Sequence, residues 1–272
     1  MAYPNDPPAP SGMTLTGNTL NNGCAVFYPL TDGSGSTAVD ISGNGYDATG
    51  LASYVPTWST QAIGECAAFT GGQRFMVPQA WWNDNVSGGT DFSVSVWVRT
   101  STIVNSAALG ICVWDIGGNR FIFDIDGPYQ QPHAFFGQPS FGQTGLPYSP
   151  RMTDTVDFHH FVLTCSNGGN ANIYVDNVNT HTVSRPAGNW SAITADSAIG
   201  ASPNPATTSR RIEGYQQNCR AWNRELSVSE VDTLFSDPWA GTDYSPNEVS
   251  GGSALSAAHL ANAIRLQPNY KR

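Results

Sequence analysis

From Cys24 to about Trp222 the chain runs as short apolar stretches that alternate with polar residues and break at Gly, Asn, Asp and Pro. In FSVSVWVRT, Phe92, Val94, Val96 and Val98 fall on one side, and Ser93, Ser95, Trp97 and Arg99 on the other. RFIFDID repeats the pattern with Phe121, Phe123 and Ile125, and NIYVDN sets Ile173 and Val175 against Tyr174 and Asp176. A period of two marks a strand with one buried face. Many such strands at short spacing, with no helical stretch between them, predict an all-β antiparallel sandwich or jelly roll.

Helical periodicity enters late. In LSVSEVDTLFSDP, Ser227 and Glu230 have the spacing of a capping box. Val228, Val231, Leu234 and Phe235 then share a face, and Pro238 ends the run. This predicts a short helix after the last strand. DYSPNEVSGG reads as a linker, and SALSAAHLANAIRLQP as an Ala-rich C-terminal helix. The chain thus divides into an extended N-terminal arm over residues 1–21, a sandwich over 22–240, and a linker with a helical tail over 241–272.

Composition narrows the functions. Hydrophobic residues make up 40% of 272, enough for a large core, while charged residues are only 12%. The formal charge of −9 excludes broad nucleic-acid binding, which needs a basic stripe. No apolar run is long enough to span a membrane. The start, MAYPNDPPAPSGM, has neither a basic segment nor an apolar h-region, so it does not read as a signal peptide. Cys24, Cys66, Cys112, Cys165 and Cys219 are widely spaced with no CxxC pair, which argues for buried thiols over a zinc site.

Several stretches, in order, resemble one family. CAVFYPLTDGSGSTAVDISGNGYDATG looks like the opening of a laminin G-like, concanavalin A-like jelly roll. AAFTGGQRFMVP resembles its next strand pair, TDFSVSVWVRT its central strand, and DFHHFVLTCSNGGNANIYVDN its hairpin. RAWNRELSVSEVDTLFSDP resembles the closing strand and helix. The resemblance implies two stacked antiparallel sheets. It leaves function open, since the family includes glycan binders, protein binders, structural modules and glucanases.

The chemistry-bearing residues carry alternatives. In DISGNGYDATG, Asp40 and Asn44 offer hard oxygens, and Gly43 and Gly45 let the backbone turn. The resemblance implies calcium here, helped by the closing strand, where the family's acidic pair stands as Gln216, Gln217, Asn218, Cys219. The alternative is a turn held by Asp and Asn side chains. A helix does not come next, so a phosphate cradle is a poor fit. Asp124 and Asp126 share a strand face, the nearest approach to a glycosidase carboxylate pair, but the run ends at Gly127 and Pro128. His159 and His160 are adjacent and therefore point to opposite faces; His160 reads as a hydrogen-bonded structural histidine. Sugar binding wants flat rings beside hydrogen-bonding side chains. The aromatic loop stretches supply Trp81 and Trp82, and Tyr129, Gln130, Phe141, Tyr148 and Arg151.

These readings predict a non-catalytic structural or adhesive module on a virion surface, as a capsid decoration or fibre protein. It would attach to the capsid or tail through its arm or tail and bind a cell-surface glycan. A free lectin, cytoplasmic in place, is the alternative, and a glycoside hydrolase stands third. Calcium is the one cofactor the residues suggest. A homo-oligomer stays open, because nothing in the residues counts subunits.

Overall fold

A computed structural model describes residues 13–61, 64–89, 91–101, 111–116, 121–126, 131–136, 155–184, 188–204 and 211–244. The strands are β1 (Cys24–Tyr28), β2 (Thr37–Ala38), β3 (Ala48–Gly50), β4 (Thr57–Gln61), β5 (Gly64–Phe69), β6 (Phe75–Val77), β7 (Phe92–Thr100) and β8 (Ile111–Ile116). They continue as β9 (Phe121–Asp126), β10 (Gln131–Phe136), β11 (His159–Cys165), β12 (Asn170–Val175), β13 (Val178–Ser184), β14 (Ser197–Ile199) and β15 (Gly214–Trp222). Among the described residues two α-helices join them, α1 (Ala80–Asn85) and α2 (Val228–Ser236).

The strands form two antiparallel sheets. The eight-stranded sheet has the order β13-β12-β11-β7-β15-β5-β4, with β1 pairing β15. The seven-stranded sheet runs β10-β9-β8-β14-β6-β3-β2. β15 pairs with β5 through Gly214–Gln216 and with β1 from Cys219 to Trp222. The change of partner falls at a bulge, where Asn218 takes a positive φ of 53° and donates its N–H to the Pro29 carbonyl.

The alternation read from β7 holds. Phe92, Val94, Val96 and Val98 lie in the core between the sheets with Phe161, Leu163, Ile173, Phe75 and Ile199. Trp97 faces the other way, onto the outer side of the eight-stranded sheet. The β12–β13 turn at Asp176 and Asn177 has positive φ at both residues, the geometry that closes a two-residue hairpin without splaying its strands.

α2 lies on that outer side. Its Val231 and Leu234 are buried against Val162, Tyr174, Trp222 and Leu226. The capping box is present: the Ser227 hydroxyl accepts from the Glu230 N–H, and Glu230 reaches back to the Ser227 N–H. Val228, read as part of the apolar face, is instead 65% exposed, at the first position of the helix.

The sandwich begins earlier than the sequence suggests. Residues 13–21, read as part of an extended arm, pack on the domain. Met13 meets Trp239 and Tyr244, and Leu20 is buried under α2. Thr14 bonds Asp243 through its N–H and hydroxyl, and Leu15 bridges Thr242 in antiparallel fashion. The two flanks of the domain therefore meet at one pole. Residues 1–12 and the predicted C-terminal helix lie outside the described residues.

Candidate functional site

The opening loop is organised by one carboxylate. Asp40, 7% exposed, accepts at Oδ1 from the N–H groups of Phe27 and Ser42, both at 2.9 Å. Its Oδ2 accepts from the Ser42 hydroxyl at 2.9 Å and the Tyr46 N–H at 3.0 Å. A carboxylate offers about four lone-pair positions, and these donors fill them. Gly43 and Gly45 carry the positive φ the tight path needs, 89° and 78°. Asn44 uses its amide as a donor, to the carbonyls of Cys24 and Ala25. Asn218 is 2% exposed, and no described group bonds its amide. This donor set does not fit a hard dication, since the carboxylate that would anchor it has no free position. The arrangement is that of a turn held by side chains. Among the described residues no group of three or more His, Cys, Asp or Glu could hold a metal.

Trp81 and Trp82 correct the sequence reading. Both are fully buried, so neither can present a ring to a sugar. α1 turns them inward, where Trp82 meets Phe92 and Trp190 edge-on at 5.2 and 5.6 Å. Their indole N–H groups are satisfied inside, on the Ser197 hydroxyl and the Ser191 carbonyl. Tyr129, Gln130, Phe141, Tyr148 and Arg151 lie outside the described residues. Asp124 and Asp126 sit on β9, in register with His133 and Gln131 of β10.

The histidines part as expected. His160 is 1% exposed, bonds Ser95 Oγ through Nε2 at 2.8 Å, and stacks on Trp97 at 4.9 Å. Burial pushes its pKa down to about 3, so it is neutral near neutral pH. A serine and histidine sealed under Trp97 and Phe235 have no access to substrate. His159 bonds Asp176 at 2.7 Å and steadies the β12–β13 turn. Burial holds three of the described thiols protonated: it pushes Cys24 and Cys66 up to about 12 and raises Cys219 well above the usual thiol value.

A further polar stretch of the outer face lies on β4, β5, β15 and β7. Arg99 is half-buried there, with its guanidinium carbon 4.3 Å from the centre of the Tyr215 ring and 5.5 Å from that of Phe158. Its Nη2 donates to Gln61 Oε1 at 2.8 Å. Register sets Tyr215 directly opposite Arg99. Gly214 permits that closeness, as a Cβ there would fall 2.1 Å from the Arg99 carbonyl oxygen.

Residues 70–232 match the family model for the concanavalin A-like lectin/glucanases superfamily. The chain belongs to that superfamily. Among solved structures, this lectin/glucanase sandwich is similar to domain 4 of AbnA, an extracellular arabinanase from Geobacillus stearothermophilus seen with arabinotriose. That match has a TM-score of 0.59 at 15% identity and covers 78% of this chain and 97% of that one. It is also similar to a botulinum neurotoxin type C structure, a toxin that enters cells in dependence on two ganglioside molecules. The TM-score is 0.54 at 14% identity, covering 80% of this chain and 51% of that one. A third is the Trypanosoma rangeli sialidase in complex with 2,3-difluorosialic acid, with a TM-score of 0.53 at 18% identity, covering 79% of this chain and 33% of that one. The chain thus spans about half of the toxin structure and a third of the sialidase. No curated protein matches. At these identities the likeness establishes the fold.

Reading the lectin/glucanase sequence missed Arg99, Tyr215, Phe158 and Gln61 as a group. One signal was present: Arg99 comes two residues after Trp97, which puts both on the outer face. Tyr215 and Gln61 are brought beside them by pairing between strands far apart in sequence.

Proposed function

We propose that the chain is a non-catalytic adhesive module that holds carbohydrate while its flanks attach it to a larger assembly. The observation that carries the carbohydrate half is the arabinanase domain. Nearly all of that domain shares this architecture, and it has arabinotriose bound. The ganglioside-dependent toxin, whose structure contains a sandwich of this kind, supports the same reading. Attachment draws on the clasp between Leu15 and Thr242, which brings both flanks to one pole and leaves the rest of the surface free to face outward. Within this reading the assembly is a virion surface, and the module is a capsid decoration or fibre protein.

The test is a glycan array with the full chain, together with sedimentation of the native source. Retention on at least one saccharide and co-sedimentation with a large particle are expected. No retention on any saccharide overturns the carbohydrate half, and a freely running protein overturns the assembly half. Turnover of a retained glycan that Asp124→Asn abolishes would replace the module by a glycoside hydrolase.

A further inference from the structure

We propose that the outer face of β4, β15 and β7 carries a saccharide site built on Arg99, and that its ligand is an acidic sugar whose carboxylate meets the guanidinium. This rests on the carbohydrate-binding reading and names the class of ligand.

Arg99 stands apart from the other described arginines. Arg211 and Arg224 are neutralised by Glu213 at 3.0 Å and Glu230 at 2.7 Å. Arg74 and Arg220 are almost wholly buried and donate to backbone carbonyls. Among the described residues Arg99 makes no ion pair, and its one hydrogen-bond acceptor is the neutral Gln61 amide oxygen. That bond occupies a single N–H of Nη2 and leaves Nη1 unused. A guanidinium has five N–H donors in a rigid fork that matches a carboxylate.

The surroundings hold the fork in place. Tyr215 and Phe158 fix its plane by contact with their rings, and Gln61 fixes its rotation about the stem. A pre-positioned arginine loses less freedom on binding than a mobile one. Thr57, Ser59 and Gln61 lie along β4 on the Arg99 side of the sheet, because Thr57 pairs with Ala68, Ala68 with Tyr215 and Tyr215 with Arg99, and all three retain solvent exposure. Hydroxyls and an amide beside aromatic carbon suit a sugar ring, which has polar edges and an apolar face.

The net charge of −9 opposes an anion at long range. Beyond about 8 Å that repulsion is largely screened at physiological ionic strength, whereas a close, partly desolvated pair is screened much less. The local guanidinium therefore governs.

The experiment is titration of the full chain with matched neutral, carboxylated and sulfated oligosaccharides, repeated on Arg99→Gln and Gln61→Glu. Gln61→Glu sets a carboxylate of the protein's own against Nη2, filling the fork without removing the arginine. Tighter binding of the carboxylated ligand is expected, weakened about 10- to 100-fold in both variants, with melting temperature held in Gln61→Glu. Carboxylated ligand binding unchanged in Gln61→Glu overturns the proposal, as does a preference for neutral or sulfated ligands. In those cases the carbohydrate-binding reading stands. Binding of no saccharide overturns both.

Discussion

Arg220 and Arg99 leave the same face of the same sheet, yet their surroundings differ. Around Arg220 the face is closed. Its guanidinium lies 3.7 Å from the centre of the Phe27 ring and donates to the carbonyls of Ala240 and Pro238, beneath the segment after α2. Arg99 is only half-buried, and among the described residues the same group meets two rings and an amide but no carboxylate. The difference comes from the chain beyond β15: α2 and residues 237–244 cover one half of the face and stop short of the other. Equal residues on equal strands thus become a structural brace in one half and an available cation in the other.

The comparison can be broken at several points. Arg220→Met should cost about 3 kcal/mol in urea denaturation, because two buried carbonyls lose their donors. A loss below about 1 kcal/mol would mean the brace is decorative. Leu234→Ala, which opens a cavity under α2, should cost about 2–3 kcal/mol. Asp40→Asn should cost about 2 kcal/mol, since an NH2 group would then confront donors that now meet oxygen. In the unsubstituted protein, added calcium and chelator should give the same melting temperature.

His160 gives the closed half a pH signature. Its folded pKa of about 3 lies below the ordinary 6.5, so between those values the unfolded chain holds the extra proton. Stability should therefore fall as pH drops below 6.5, by at most about 1.4 kcal/mol per unit from this residue, until pH 3 is reached. His160→Gln should flatten that slope, and an unchanged slope would assign it to other groups. The smallest effect belongs to the open half: Arg99→Gln should change stability by less than about 0.5 kcal/mol. A large loss there would make Arg99 a second brace and erase the contrast.

The features legible in the sequence were local. The inward and outward residues of β7, the capping box of α2 and the Asp-centred opening loop all come from spacing within one segment. The hidden features were set by distant partners. Trp81 and Trp82 look like loop aromatics until α1 turns them inward, Trp81 onto Ser197 and Trp82 against Trp190, more than a hundred positions on. Met13 and Leu20 look like part of an extended arm until Trp239 and Trp222 supply their neighbours. The Arg99 group joins strands whose pairing no periodicity announces.

The pairing of residues 13–16 with 241–244 also sets how the domain would carry load. Tension applied through Met13 and Tyr244 enters and leaves at the same end of one short antiparallel ladder. The Thr14–Asp243 contacts take the pull first, then the Leu15–Thr242 bridge, then the Thr16–Gly241 bond. Such a ladder opens like a zipper, one bond at a time, rather than shearing all its bonds together. The sandwich hangs beside this line of force, so the ladder can part while the sheets stay packed.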